Sequence, residues 1–366
     1  MKVVIILSLL GACVFLCGFF LTRRELHDIS ECDIFSLQSG LPTGAITEVK
    51  LLETVQDTLL STKGEVGCWS KRRNHRVFLF IVDALRQDFM TPDMMPLMHE
   101  ILSTNNTQTR LFGFKADPPT VTAQRLKGLT TGSLPTFIDL GSNFDSATVI
   151  EDNWLDQYIR HLPSPNVLLG DDTWAALYAS RFDISHPFES FDTHDLDTVD
   201  DGIETVLLPL VQSGNDNTNS NNKWGTFVAH FLGVDHIGHT HHAHHPLMKP
   251  RVQRMDQLAR SVIDNMPEDG LLLLFGDHGM TDDGNHGGAT PSETDSGLFV
   301  YSKVPFSVAV DTHWNSSTKS WEKISIDDRK NHPRMVNQVD LVPTLSLLLG
   351  LPIPFSNLGG VIHELF

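Results

Sequence analysis

An α/β domain with a central, mainly parallel sheet is predicted by three features of the sequence. Short, continuously apolar runs recur at 77-VFLFIVD-83, 166-NVLLGDD-172, 225-GTFVAHFLG-233, 271-LLLLFGD-277 and 298-LFVYSK-303, as strands buried on both faces require. Helix-spaced stretches fall between them, at Met95 to Leu102, Ala123 to Leu129 and Pro250 to Asn265, and that alternation builds βαβ units. Asp stands at or just beyond the end of several of these runs. The space beyond the carboxyl ends of parallel strands is where open α/β sheets bind ligands.

The amino terminus lies outside that pattern. Val3 to Leu21 carries no charge and is bracketed by Lys2 and by Arg23-Arg24, about the length that spans a bilayer. Residues 1–22 are read as an uncleaved transmembrane signal anchor; a cleaved signal peptide is the alternative, but the run is long and no small-x-small site closes it. Residues 23–75 show weak periodicity and are read as a lumenal stalk or lead-in, and residues 76–366 as the catalytic domain. Asn105-Asn106-Thr107 and Asn315-Ser316-Ser317 are glycosylation sequons, and outside the anchor the cysteines are Cys32 and Cys68. Two cysteines can pair in an oxidising compartment, so both observations point to a glycoprotein whose body faces the secretory lumen. Residues 213–222 (SGNDNTNSNN) read as a surface loop and 307–335 as a polar insertion. The apolar spacing of 336-VNQVDLVPTLSLLLGLPIP-354 suits a helix against the sheet. No second membrane segment appears before Phe366.

A chain of 366 residues with 40% hydrophobic content holds one large domain and little else. Its net charge of −18 excludes nucleic acid as a partner, because phosphate contacts need clustered Lys and Arg.

Asp and His converge on the strand ends. Asp235 and His239 follow the run at 227–233, Asp277 and His278 follow 271–275, Asp83 closes 77–83, and His286 lies in the glycine-rich 284-GNHGG-288. Imidazole nitrogen and carboxylate oxygen are the ligands zinc takes in catalytic sites, and six such residues suffice for two divalent ions with a position left for substrate. A nucleophile is available in 117-DPPTVTAQRLKGLTTGSLP-135, where Thr120 and Thr122 precede a helical run. A hydroxyl there is either a plain N-cap or a phosphoryl-transfer nucleophile facing a phosphate at the helix end. Arg125 and Lys127 are either phosphate contacts or helix-surface charge. Asp171, Asp172 and Trp174, at the end of the second run, are either substrate contacts or turn formers. His236, His241, His242, His244 and His245 crowd what reads as a solvated loop.

In combination, Asp83, Pro-Thr-x-Thr before a helix and Thr-Gly, Asp-His-x-Gly-His and Gly-Asp-His-Gly-Met resemble the alkaline phosphatase superfamily. Within it, 116-ADPPTVTAQRLKGLTTGSLPTFIDLGSNF-144, 170-GDDTW-174, 195-DLDTVDDGI-203 and 230-HFLGVDHIGH-239 resemble the GPI ethanolamine phosphate transferases, and most nearly the PIG-O type, which acts on the third mannose of the glycan. The resemblance runs from about Arg76 to Phe355. It implies an alkaline-phosphatase-like three-layer sandwich. It implies one metal, a zinc ion by the donor set, on Asp83, Asp277, His278 and the nucleophile oxygen, and a second on Asp235, His239 and His286. It places the nucleophile at Thr122, with Thr120 as the fallback. It further implies transfer of phosphoethanolamine from phosphatidylethanolamine to a mannose of the GPI precursor, at the endoplasmic reticulum membrane with the catalytic domain in the lumen, together with a small membrane-protein partner subunit. Family members carry many membrane helices after the catalytic domain, which this sequence does not include. Two other readings use the same residues: a metal-dependent phosphodiesterase or phosphatase that gives the phosphoryl group to water, and a catalytically silent scaffold. A sulfatase fits poorly, since the modified Cys or Ser of that group is absent at the nucleophile position.

Overall fold

A computed structural model describes residues 2–19, 26–32, 68, 70, 72–105, 107–134, 148–162, 164–213, 224–306, 312–315, 320–323 and 333–366. After an amino-terminal helix, α1 (Lys2–Phe19), the chain alternates strands and helices: β1 (Arg76–Val82), α2 (Pro96–Thr104), β2 (Thr109–Lys115), α3 (Thr122–Thr131), α4 (Trp154–His161), β3 (Asn166–Asp171), α5 (Thr173–Leu177), β4 (Ile184–Phe188) and α6 (Thr198–Ser213). There follow β5 (Thr226–Phe231), α7 (Gly233–His241), α8 (Met248–Asn265), β6 (Gly270–Phe275), α9 (Pro291–Thr294), β7 (Asp295–Ser302), a hairpin of β8 (Thr312–Asn315) and β9 (Ser320–Lys323), β10 (Met335–Asn337) and α10 (Leu341–Leu349). The main sheet has the order β10-β2-β7-β6-β1-β5-β3-β4. Only β7 runs against the rest, paired antiparallel to β2 and β6.

All five predicted strands form. Their continuous apolar character has the expected cause: alternate residues of β1 enter two different cores. Phe78, Phe80 and Val82 pack with Val199, Ile203 and Leu207 of α6 and with Val252, Met255 and Val262 of α8. Val77, Leu79 and Ile81 pack with Leu126 and Leu129 of α3, Trp154 and Tyr158 of α4, and Val342, Leu345 and Leu348 of α10. The result is the expected three-layer sandwich, with the helix layers sealing both faces of the central strands β1, β5 and β6.

Besides the β8–β9 hairpin, three strands of the main sheet went unpredicted. β2 has polar residues at both ends and Gly113 inside. β4 contains Pro187 and sits at the sheet edge, where a missing N–H is tolerated. β10 has three residues at the opposite edge. It begins where one continuous helix had been expected over 336–354; that helix is shorter. An Asn337/Asp340 capping box stops the strand and starts a 3-10 turn at Gln338–Asp340. Pro343 then falls in the first turn of α10, where its absent N–H costs nothing. Gly350, at φ 66°, ends the helix in the left-handed region.

Cys32 and Cys68 form a disulfide, with 5.0 Å between their Cα atoms. Flanking residues fasten this lead-in to the domain: Cys68 N donates to Gly350 O at 2.7 Å and Ser30 N to Asp152 Oδ2 at 2.9 Å. Most of the 23–75 lead-in, most of the 213–222 loop and much of 307–335 lie outside the described residues. Among the described residues, no helix is long and apolar enough to cross a membrane. The last residues of the expected anchor, 20–22, lie outside them, and the 18 residues of α1 span about 27 Å at a helical rise of about 1.5 Å.

The centre of the first core is an aromatic stack, with Phe78 on Phe227 at 4.4 Å and Phe80 on Phe231 at 4.5 Å between ring centroids. Phe78 is fully buried. We expect Phe78→Ala to destabilise the domain by about 3–5 kcal/mol, measured as a lower denaturant midpoint with an unchanged slope.

Candidate metal centre

Asp83 follows the last residue of β1, and the chain then turns sharply. Ala84 adopts φ 58°, a region a side chain rarely occupies and one where strain tends to mark function. That turn brings the Ala84 N–H to Asp277 Oδ1 at 3.3 Å, so the ends of the paired strands β1 and β6 lock together. His278 Nε2 then lies 3.3 Å from Asp83 Oδ1 and 3.5 Å from Asp277 Oδ2. The other ring nitrogen, Nδ1, donates to Gly279 O at 2.9 Å. This leaves a lone pair on Nε2, aimed at two carboxylate oxygens.

Burial, with the charge of His286 next, lowers the pKa of His278 to about 4, so its ring is neutral at physiological pH. Burial, with the charge of Asp83 next, pushes Asp277 well above the ordinary carboxylate range. Burial alone would also raise Asp83, but His278 and His230 beside it pull its carboxyl below the usual range. Among the described residues, Asp83 Oδ1 and Asp277 Oδ2 are buried without a hydrogen-bond partner. A neutral imidazole lone pair facing two orphaned carboxylate oxygens is a repulsive arrangement that a cation resolves.

The second cluster is Asp235, His239 and His286. Asp235 and His239 were expected on a strand-to-loop junction, but they lie on helix α7, one turn apart on the same face. His286 arrives from the loop after β6. There Gly284, at φ 83°, passes so close to α7 that a Cβ would stand 1.9 Å from Gly238 O. His286 Nε2 sits 3.0 Å from His239 Nε2 and 3.3 Å from Asp235 Oδ1, and His239 Nε2 sits 3.4 Å from the same oxygen. His286 Nδ1 donates to Thr120 O at 2.8 Å, fixing the ring with Nε2 inward. Asp235 Oδ1 has no hydrogen-bond partner. Although burial opposes it, the Asp235 carboxylate 3.3 Å away raises His286 to about 9: without metal, a proton holds the point a cation would take. This cluster is the more open one, with His239 exposed and His286 half-buried. The clusters adjoin, His278 stacking on His286 at 4.1 Å.

Thr122 is the first residue of α3 and makes no capping hydrogen bond; its Oγ1 lies 3.3 Å from Asp83 Oδ2 and 3.4 Å from His278 Nε2. Thr120 is engaged elsewhere. Its hydroxyl donates to Gly288 O at 3.0 Å and accepts from Gly287 N at 2.9 Å. Of the two threonines, Thr122 alone borders the first cluster.

Other expected contacts fall differently. Asp171 and Trp174 are buried, so neither faces an open site. Asp171 Oδ1 accepts from Thr173 N at 2.8 Å, and Trp174 Nε1 donates to His230 Nδ1 at 3.1 Å. Asp172 is half-buried and accepts from Ser190 Oγ at 2.7 Å. Arg125 is not on the helix surface: it is buried, with Nε and Nη2 unpartnered among the described residues. Burial lowers its pKa to about 10 against the charges of Asp117 and Asp277, and it stays cationic. The histidines read as a solvated loop divide. His236 is buried in α7 against Asp195 O at 2.7 Å, whereas His241, His242 and His244 are exposed.

Two groups escaped the sequence reading. One is His230, buried inside β5. The other is the Asp200–Arg251 pair. Asp200 Oδ1 accepts from Leu232 N and Gly233 N at 3.1 and 3.2 Å, pinning the start of α7, and Arg251 Nη1 holds Oδ2 at 2.8 Å. The signal for His230 was a lone polar residue inside an apolar run; the polar stretches around Asp200 and Arg251 gave none. A surface groove of about 500 Å³ lined by Arg86, Met90, Phe112, Pro291 and Pro333 contains none of the metal-cluster residues.

A three-layer sandwich with paired Asp/His clusters at the carboxyl ends of its strands sets a metal-type donor set beside the hydroxyl at the start of α3. The chain belongs to the type I phosphodiesterase / nucleotide pyrophosphatase family, whose model matches residues 77–288. It is 40% identical to the human GPI ethanolamine phosphate transferase 3, catalytic subunit, over 97% of this chain and 30% of that protein. It is 37% identical to GPI ethanolamine phosphate transferase 3 of Schizosaccharomyces pombe, over 100% of this chain and 36% of that protein. The chain thus spans about a third of the length of these relatives. In fold it is similar to human ectonucleotide pyrophosphatase / phosphodiesterase 5 (TM-score 0.54, 12% identity, 79% of this chain and 99% of that one). It is similar also to the lipoteichoic acid synthase LtaP from Listeria monocytogenes (TM-score 0.53, 11% identity, 80% and 76%).

Metal analysis of the purified chain should find about two equivalents of transition metal. Asp277→Ala and His278→Ala should each reduce this to about one, while the exposed His242→Ala and His244→Ala leave it unchanged; equal losses from both pairs would relocate the site. Calorimetry in buffers of different ionisation enthalpy gives a second check. Metal binding should release a proton from His286 at pH 8, below its metal-free pKa of about 9, and that release should fade above pH 9.

Proposed function

We propose that this chain is the catalytic domain of a phosphoethanolamine transferase of GPI-anchor synthesis, taking the group from phosphatidylethanolamine and delivering it to a mannose hydroxyl, that of the third mannose, on the GPI precursor. The observation that carries the reading is the Thr122 hydroxyl at the start of α3, set against Asp83 and His278. The names of the relatives supply the substrate class.

Asp83, Asp277 and His278 would hold one zinc ion, with Thr122 Oγ1 as its further ligand, and Asp235, His239 and His286 the other. Bound there, the two ions would lower the pKa of an alcohol and offset charge on a phosphoryl group. Thr122 Oγ attacks the phosphorus of the donor diester, the bond to the glycerol oxygen breaks, and diacylglycerol departs with a proton from solvent. A phosphothreonine diester remains. The mannose hydroxyl attacks that phosphorus next, the Thr122 Oγ–P bond breaks, and Thr122 recovers a proton. The free N–H groups at the start of α3 face the phosphate. The unpartnered buried guanidinium of Arg125, three residues into that helix, adds positive charge on the same side.

The remaining assignments belong to the same proposal. Residues 1–22 anchor the chain in the endoplasmic reticulum membrane; Leu7, Leu9, Leu10, Val14 and Phe15 of α1 are all more than half exposed, an apolar face suited to lipid. The stalk of residues 23–75 and the catalytic domain of residues 76–366 lie in the lumen, where the Cys32–Cys68 disulfide persists and Asn105 is open to glycosylation. A small membrane-protein subunit completes the enzyme.

Thr122→Ala should reduce transfer by several orders of magnitude, as loss of a covalent nucleophile does, while Thr120→Ala should weaken it less by loosening the His286 loop. Loading the enzyme with labelled donor, denaturing it and mapping the label by mass spectrometry should place phosphoethanolamine on Thr122. Label on Thr120 would move the nucleophile, and an unlabelled protein that still transfers would replace the two-step route with direct transfer.

A further inference from the structure

β5 reads Thr-Phe-Val-Ala-His-Phe and is buried along its whole length. His230 is its one ionisable residue, with no exposure to solvent. A polar ring in that position is costly unless its nitrogens are engaged. The strand register accounts for its surroundings: His230 pairs with Ile81 of β1 and Gly170 of β3, so it stands between the ends of the strands that carry Asp83 and Asp171. Gly170, at φ 107°, leaves no room for a side chain, since a Cβ there would meet His230 O at 2.0 Å.

The contacts of the ring have a direction. Trp174 Nε1–H donates to His230 Nδ1 at 3.1 Å, and Asp171 Oδ2 lies 3.4 Å from the same nitrogen. Asp171 is itself fixed by Thr173 N, and Trp174 is buried with its ring against Tyr178 at 5.5 Å. On the other side, His230 Nε2 makes no hydrogen bond among the described residues, and the oxygen it faces is Asp83 Oδ2, at an ion-pair distance of 3.5 Å. With Nδ1 accepting from Trp174, the ring proton is on Nε2; in a doubly protonated ring Nδ1–H donates to Asp171 Oδ2 in place of the Trp174 bond, and Nε2 carries a proton as well. In both states an N–H faces Asp83 Oδ2. Asp83 Oδ1 is left for the cluster with Asp277 and His278, where it stands 3.3 Å from His278 Nε2.

Asp83, Asp171 and His230 also bring their ligand atoms within 4.8 Å of one another, as residues holding a cation would. The Trp174 N–H argues against that use, because it occupies the Nδ1 lone pair that a metal would need. We infer that His230, set by Trp174 and Asp171, is a positioning residue that holds Asp83 in its metal-ligating orientation by pointing Nε2–H at the oxygen not used for the metal. The inference rests on the metal reading of the Asp83, Asp277 and His278 cluster and does not depend on which group is transferred. Outer-shell partners of this kind change metal affinity by about 10- to 100-fold.

The test is zinc affinity, measured on the full chain by chelator competition, with near-ultraviolet circular dichroism as the check on folding. His230→Leu fills the space without a donor and should weaken zinc binding by about 10- to 100-fold. His230→Gln, which returns an N–H near the Nε2 position, should recover most of it. A role in packing alone would not separate the two variants. If His230→Leu fails to fold, Trp174→Phe replaces it and should weaken zinc binding to a lesser degree. Folded variants with wild-type affinity would overturn the inference. So would a third equivalent of metal present in the wild type and lost in His230→Leu. A wild-type chain that binds no zinc would overturn both this inference and the metal reading beneath it, whereas wild-type binding with an unaffected His230→Leu would overturn this inference alone.

Discussion

Buried carboxylates brought together need positive charge, and much of this site answers that need. Asp83 and Asp277 are fully buried at adjacent strand ends, and each has an oxygen without a partner. Their mutual repulsion, in a region where charges are weakly screened, is tolerable only because histidines and a cation can share the space. The strained turn at Ala84, the Nδ1 bonds of His278 and His286 and the pinned start of α7 each direct a ligand atom inward. The arrangement fits a centre organised to bind metal better than one organised to hold the domain together.

The sandwich makes that geometry rigid. β1 and β6 lie side by side in the middle of the sheet, sealed on both faces, so the separation between Asp83 and Asp277 is set by strand spacing rather than by loops. The second cluster depends instead on a helix and a glycine-rich loop, and it is the more exposed of the two. A buried, fixed cluster beside an open one suits a centre that keeps one position for an exchanging substrate.

Much of this was legible in the sequence, for a physical reason. A strand buried on both faces is an unbroken apolar run, so β1, β5 and β6 announce themselves, and a charged residue at the end of such a run stands out. Asp83, Asp277 and His278 were readable in that way, and so were Asp235 and His239, although their helix was not. Gly238 and the surrounding histidines hide α7 from any periodicity. β2, with a glycine inside and polar ends, looks like a loop. His230 was read simply as part of a strand, because a single histidine in an apolar run gives no hint of the tryptophan and aspartate that tertiary structure brings to it. Asp171 and Trp174 were visible as a motif, but turning them inward required the fold.

The lead-in has a mechanical consequence. Ser30 is bonded to Asp152 and Gln157, and Cys68 to Gly350, so the disulfide between Cys32 and Cys68 closes a brace across one flank of the domain. Only ten residues lie between Phe19 at the end of α1 and Ser30, a tether that reaches at most about 40 Å when fully extended. Whatever surface holds α1 therefore leashes the domain by that flank, which limits both how far the strand-end clusters stand from the surface and how freely they swing about it.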